Sequence, residues 1–219
     1  MNEPGDNMSS NESLKDSISE SVQQDKDIRS RVRDATLRAL NSRSLDTKEM
    51  KSIIKSVTEG INLGLSKRAG EIKTALSEAM AGLDEALMKS AEATHLALRQ
   101  LTSQGKDFTD HELKDALENL KSLEKEFLSI ISQVAQGASS KIKQEMNDLI
   151  THARRAGTDT GAKVAEAVTE FGGRVKTSLD DGATVGKEAA REVSKRLAVI
   201  TSGILSGLAD ALHEKSGKK

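Results

Sequence analysis

Between positions 46 and 102 the chain carries one mostly apolar stripe: Ile54, Thr58, Ile61, Leu65, Ala69, Ile72, Leu76, Met80, Leu83, Leu87, Ala91, Thr94 and Leu98. The spacings run 4, 3, 4, 4, 3, 4, 4, 3, 4, 4, 3, 4, an eleven-residue period rather than a heptad. Eleven residues over three turns is about 3.67 per turn, close to the 3.6 of a straight helix. A partner helix could follow such a stripe with little supercoiling. The stripe predicts a helix over 47–102, roughly 85 Å long at 1.5 Å per residue.

Its start is marked by Leu45-Asp46-Thr47-Lys48-Glu49-Met50, and the same plan recurs in Phe108-Thr109-Asp110-His111-Glu112-Leu113. Asp46 and Thr109 suit the N-cap, while Glu49 and Glu112, three residues on, suit the return bond of a capping box. Leu45 with Met50, and Phe108 with Leu113, have the spacing of a hydrophobic staple. The second helix carries Leu113, Leu117, Leu120, Phe127, Ile131, Ala135, Ala138, Ile142, Met146, Leu149 and Ala153. The polar cluster 102–109, with Gly105, reads as a turn, so 46–155 is expected to be a long antiparallel helical hairpin.

Around that hairpin the pattern is weaker. Residues 1–24 hold only Leu14, Ile18 and Val22 among Asn, Ser, Glu and Asp, and read as a disordered acidic tail with room for a transient helix. Residues 25–43 read as a short basic helix: Ile28, Val32, Ala35, Ala39 and Leu40 share a face, and Arg29, Arg31, Arg33, Arg38 and Arg43 make the piece locally basic against one acid, Asp34. That helix either folds back on the bundle or meets an acidic surface such as the chain's own tail. Residues 156–213 form a glycine-punctuated helical arm, followed by a flexible basic tail, 214–219. The eleven-residue phase persists through Ile142, Ala153, Val164, Val175, Gly186, Leu197 and Leu208. Whether 157–161 and 182–186 are turns or bends in a continuous helix stays open. Gly60/Gly64, Gly157/Gly161, Gly182/Gly186 and Gly203/Gly207 share a one-turn spacing that lets two helix backbones approach closely.

Composition narrows the picture further. Of 219 residues 36% are apolar but only 1% aromatic, with no Trp or Tyr, so any core is built from Ala, Leu, Ile, Val and Met. The one proline lies at position 4, leaving the rest free of proline breaks. A net charge of −1 gives no general attraction to nucleic acid, and three phenylalanines cannot build a base-stacking platform. Without cysteine there is neither a disulfide framework nor thiol chemistry. No stretch resembles a signal peptide or is long enough to span a bilayer, so a cytoplasmic location, peripheral to a granule or membrane surface, is the expectation.

Candidate chemistry is sparse. Glu92-Ala93-Thr94-His95 has the Glu-x-x-His spacing of di-iron bundles, but such a site needs a second motif and two further glutamates, and Asp210-Ala211-Leu212-His213 is a feeble match. His111 and His152 read as surface positions. Gly182-Ala183-Thr184-Val185-Gly186-Lys187-Glu188 is one residue short of a phosphate loop and lacks its Ser or Thr. The expectation is therefore a non-enzyme without catalytic residues, metal or cofactor. The least polar stretch, 197–212, carries one charge, Asp210, among Leu197, Val199, Ile200, Ile204, Leu205, Leu208 and Leu212. It reads either as a buried oligomer core or as a segment that seats on lipid, polymer or a partner groove.

The eleven-residue amphipathic repeat resembles that of exchangeable apolipoproteins, of the phasins that coat polyhydroxyalkanoate granules, and of desiccation-protective proteins. Gly82-Leu83-Asp84-Glu85-Ala86-Leu87, His152-Ala153-Arg154-Arg155-Ala156-Gly157-Thr158-Asp159-Thr160-Gly161 and Ser202-Gly203-Ile204-Leu205-Ser206-Gly207-Leu208-Ala209-Asp210-Ala211-Leu212 are similar to an uncharacterised proteobacterial all-helical family. That resemblance implies a bacterial source and brings no activity with it. The sequence thus leads to an all-α, elongated antiparallel bundle with eleven-residue packing. Two functions suit such an object: coating an apolar surface through the stripe and 197–212, or self-association as a structural or adaptor module, with a homo-oligomer expected.

Overall fold

The computed structural model describes residues 4–24, 26–42, 47–103 and 110–178. They form an all-α, multi-helix packed bundle: α1 (Pro4–Gln23), α2 (Ile28–Asn41), α3 (Thr47–Ser66), α4 (Ile72–Ser103), α5 (Asp110–Gln136), α6 (Ser140–Ala156) and α7 (Asp159–Ser178). One unit comprises α1–α3, α4 up to Leu87, α5 from Lys125, and α6; the other comprises α4 from Met88, α5 up to Glu124, and α7.

In the first unit α1 packs along α3 and α2, and α6 lies on α3. The tail expected to be disordered is thus a helix, with Leu14 8% and Ile18 and Val22 0% exposed. Three apolar side chains suffice because α3 offers a seat without side chains. A Cβ at Gly60 would stand 2.6 Å from the Lys15 carbonyl oxygen, and one at Gly64 2.6 Å from that of Ser19. The two glycines and the two carbonyls they meet are each one turn apart, so the Gly60/Gly64 pair works as the close helix contact its spacing implies. Pro4 opens α1, where a missing N–H costs nothing. Asp27, with φ 58°, turns the chain from α1 into α2, a left-handed conformation that Asp tolerates better than most residues.

The long rods predicted over 47–102 and from 110 onward are interrupted. α3 ends in tight three-residue turns, Lys67 N–H to Gly64 O at 3.2 Å and Arg68 N–H to Leu65 O at 3.3 Å. Helix resumes at Ile72. On either side of this gap the stripe is buried: Ile54, Ile61, Leu65, Leu76, Met80, Leu83, Leu87 and Leu98 are at most 3% exposed. Within it, Ala69 is exposed and Ile72 half-buried. The break has a use, since it turns Arg68 so that Nη1 donates to Val22 O at 2.8 Å. A cation thereby meets the carbonyl end of α1, where the helix dipole favours it. A second break, at Gly137-Ala138-Ser139, separates α5 from α6.

The third break answers the alternative left open at 157–161. α6 ends at Ala156, Gly157 adopts φ 84°, its N–H bonds Ala153 O at 2.8 Å, and α7 starts at Asp159. Only glycine enters that conformation without strain. Residues 182–186 and 197–212 lie outside the described residues. So do the predicted caps Asp46 and Thr109 and the side chain of Glu112, although α3 and α5 begin at Thr47 and Asp110, where those caps would start them. Glu49 sits in the first turn of α3, half-buried and engaged.

Glycine-to-alanine substitutions separate these roles. Alanine raises intrinsic helix propensity by about 1 kcal/mol, so a freely exposed helical glycine should gain from it. Gly64→Ala should instead lower unfolding free energy by about 1–2 kcal/mol, because overpacking at a backbone contact outweighs propensity. Gly137, whose added Cβ would come no closer than 3.8 Å to Val134 O, should be nearly neutral. Urea denaturation of the two variants measures the difference.

Candidate functional site

Two polar clusters join helices inside the units, and both draw on residues that a helical wheel would assign to solvent. In the first unit Glu85 of α4 receives two arginines from α2: Arg29 Nε at 3.0 Å from Oε2 and Arg33 Nη1 at 3.3 Å from Oε1. Arg33 Nε also meets Asp34 Oδ1 at 2.8 Å. Gly82, one turn before Glu85, makes this reach possible, since a Cβ there would collide with the Arg29 carbonyl. Burial opposes the charge on Arg33, but the hydrogen bond and charge of Asp34, joined by Glu85, outweigh it and raise its pKa. The basic helix is therefore partly neutralised from within: Arg29 and Arg33 are spent on Glu85, and Arg31 Nη1 donates to Gln24 Oε1. Arg43 lies outside the described residues.

Between α1 and α2 runs an open polar groove of about 320 Å³ whose lining includes Glu20, Gln24, Arg31, Asp34 and Arg38. Ser17, Glu20, Ser21 and Gln24, the last just past the end of α1, line it with Arg31, Asp34, Ala35 and Arg38 of α2 at the same spacings of three, four and seven, and Ala35 is the one apolar member.

In the second unit His95 of α4, 3% exposed, approaches Glu170 of α7, Nε2 to Oε2 at 2.7 Å. The other oxygen of Glu170 takes Arg99 Nε at 3.2 Å, one turn beyond His95. The imidazole stands edge-on to the buried Phe171 ring, centroids 5.7 Å apart and planes at 87°. Glu92, the other half of the Glu-x-x-His motif, pairs instead with Lys89 at 2.8 Å. Both Glu170 oxygens and the Glu92 carboxylate are thus engaged by cations or imidazole, which suits a clasp and not a metal cage. Among the described residues no three His, Cys, Asp or Glu converge as metal ligands. Nearby, the hydrogen bond from Lys163, then its charge, holds the exposed Glu166 carboxyl below its usual pKa, with His95 and Arg99 adding to this. That attraction operates at neutral pH and fades as the solution is acidified through the carboxylate range.

The stripe residues Ile54, Ile61, Leu65, Leu76, Met80, Leu83, Leu87 and Leu98 are consumed by the chain's own packing. Leu96, 37% exposed, is the one exposed large apolar side chain among the described residues. The apolar candidates Leu197, Val199, Ile200, Ile204, Leu205, Leu208 and Leu212, the phosphate-loop-like run and His213 fall outside them. His152 is exposed. Sequence reasoning missed the Arg33–Glu85 and His95–Glu170 pairs because each joins residues more than fifty positions apart. The nearest signal was Gly82, in a row of small residues with Ala75, Ala79 and Ala86 on one face of α4.

If the α4–α7 contact is a clasp held by packing, Phe171→Ala should cost about 3–5 kcal/mol. Glu170→Gln leaves His95 an acceptor oxygen and removes a half-exposed charge, so its cost should stay near 1 kcal/mol or below. Equal losses in thermal melts of the two variants would contradict this ranking. Treatment with a chelator should leave the wild-type melting curve where it was.

No curated protein and no solved structure matches the chain. A family model does match, over residues 5–214, and it is described as a family of unknown function. The eleven-residue likeness to phasins and apolipoproteins finds no support in these comparisons. The span matched, from the first turn of α1 to beyond His213, makes the chain a member of the family of unknown function DUF6781.

Proposed function

We propose that the chain is a non-enzymatic helical protein that attaches peripherally to an apolar surface, a lipid bilayer or a polymer granule, through residues 197–212. The observation that carries this is where the stripe goes: eight of its nine large residues from Ile54 to Leu98 are at most 3% exposed, and Ile72 is half-buried. Opening α3 and α4 to reach a surface would first expose the eight to water, at a cost on the order of 1.5–3 kcal/mol each. Eight such costs, about 12–24 kcal/mol together, match or exceed the roughly 5–15 kcal/mol that holds a domain folded. A coat made by opening α3 and α4 is therefore disfavoured, and the apolar stretch with one charge in 197–212 becomes the attachment segment. Lys187, Arg191, Lys195 and Arg196 before it, and Lys215, Lys218 and Lys219 after it, suit an anionic interface. No helix of the described residues is long and apolar enough to cross a membrane.

A second reading, self-association or docking to a protein partner, is favoured by one specific parallel. Gly60/Gly64 joins two helices at backbone distance, and Gly203/Gly207 repeats the spacing inside 197–212. Leu65, Leu76 and Leu87 are poor probes of association, because replacing buried residues unfolds the chain first.

Flotation with phosphatidylglycerol vesicles, phosphatidylcholine vesicles as control, tests the first reading. The full chain should rise with the anionic vesicles, and deletion of 197–212 should abolish this while leaving helical circular dichroism from the remaining chain. A chain that stays at the bottom of the gradient, yet scatters light as a multimer dependent on 197–212, would replace surface attachment by self-association.

A further inference from the structure

We propose that the groove between α1 and α2 is a binding site for a small zwitterion, an aliphatic amino acid whose ammonium meets Glu20 of α1 and whose carboxylate meets Arg38 of α2. The groove lies wholly in the first unit, so the inference is independent of the surface-attachment reading.

Three observations carry it. First, the groove holds opposite charges that stay unpaired. Glu20 and Arg38 are both exposed, and neither side chain has an ion pair or hydrogen bond among the described residues. Second, neither finds a partner on its own helix. One turn from Glu20 stand Asp16, Ser17, Gln23 and Gln24, none of them a cation. Arg38 has Asp34 four residues before it, the usual partner, but Asp34 Oδ1 is already held by Arg33 Nε at 2.8 Å. Third, the register keeps the two apart. Arg31 Nη1 donates to Gln24 Oε1, which sets the pairing of these antiparallel neighbours. Counting back from that bond, Ala35 stands across from Glu20 and Arg38 across from Ser17. The two charges are thus offset by about 4.5 Å along the hairpin, close to one turn.

The other charges of the groove are engaged, Arg31 by Gln24 and Asp34 by Arg33. What remains on offer is one carboxylate and one guanidinium, the complement of a single zwitterion. A simple anion or cation satisfies one of these side chains and leaves the other, whereas a molecule carrying both charges satisfies them together. Arg38 presents a planar fork to a carboxylate, and Ser17 adds a hydroxyl at that end. Ala35, the small residue between the two charges, leaves room for methylenes in a groove of about 320 Å³.

Titration of the isotope-labelled full chain with 4-aminobutyrate, read by amide chemical shifts at constant ionic strength, decides the matter. Exposed ion pairs contribute little each, so the Kd should be about 1–10 mM, with shifts gathered in 17–24 and 31–38. Butyrate and butylamine, which keep one charge each, should bind about fivefold more weakly. Glu20→Gln should weaken 4-aminobutyrate about fivefold and leave butyrate unchanged. Arg38→Gln should weaken it as much and leave butylamine unchanged. Both side chains are exposed, so both variants should keep the helical circular dichroism of the parent. Absence of a saturable shift in these two segments, or equal affinity for the zwitterion and its singly charged analogues, would overturn the site.

Discussion

Close approach of helix backbones is the constraint from which the rest of this bundle follows. With three phenylalanines and neither tryptophan nor tyrosine, few side chains are large enough to fill a wide gap between helices. The helices must come near each other, and small residues let them. Gly60 and Gly64 admit α1, Gly82 admits α2, and Ala75, Ala79, Ala86, Ala93 and Ala97 keep the buried side of α4 shallow. Interiors packed this way lose dispersion contacts quickly if a neighbour shifts, so tolerance to added volume is low at the crossings and high elsewhere. Buried threonine hydroxyls in such places return to their own helix, as Thr36 does to Val32 O and Thr58 to Ile54 O, so neither needs a partner across the gap.

The sequence pattern and the structure agree on which side chains go inside and disagree on where the rods stop. The stripe from Ile54 to Leu98 lies on the buried side of α3 and α4 except around the break, where Ala69 is exposed and Ile72 half-buried. It missed the breaks at 67–71 and 137–139 because counting apolar residues cannot register them: a gap close to a whole number of turns returns the next helix in phase. The persistence of phase through Ala153 and Val164 argued for continuity across Gly157 on the same ground, and the chain breaks there nonetheless. Phase preserved over a glycine is therefore weak evidence for an unbroken helix. α1 was unreadable for another reason. Its stability lies in the partner's missing side chains, at Gly60 and Gly64, and no property of residues 4–23 records them.

The polar clusters add specificity to a core that has little shape of its own. Aliphatic side chains of similar size can slide past one another by a turn at small cost, and a buried or half-buried charge cannot. Arg33 with Glu85 fixes α2 against α4, and His95 with Glu170 and Phe171 fixes α4 against α7, each within its own unit. Desolvation takes back much of the attraction in such pairs, so their effect on register outweighs their effect on total stability.

The glycine at 82 gives this arrangement an evolutionary consequence. Any larger residue there would push α4 off the Arg29 carbonyl and carry Glu85 out of reach of both arginines. The chemical identity of residue 85 would then cease to matter, and its mutations would become silent. Variation at these two sites is thus epistatic in one direction: only lineages that retain the absence at 82 experience selection on the charge three residues later.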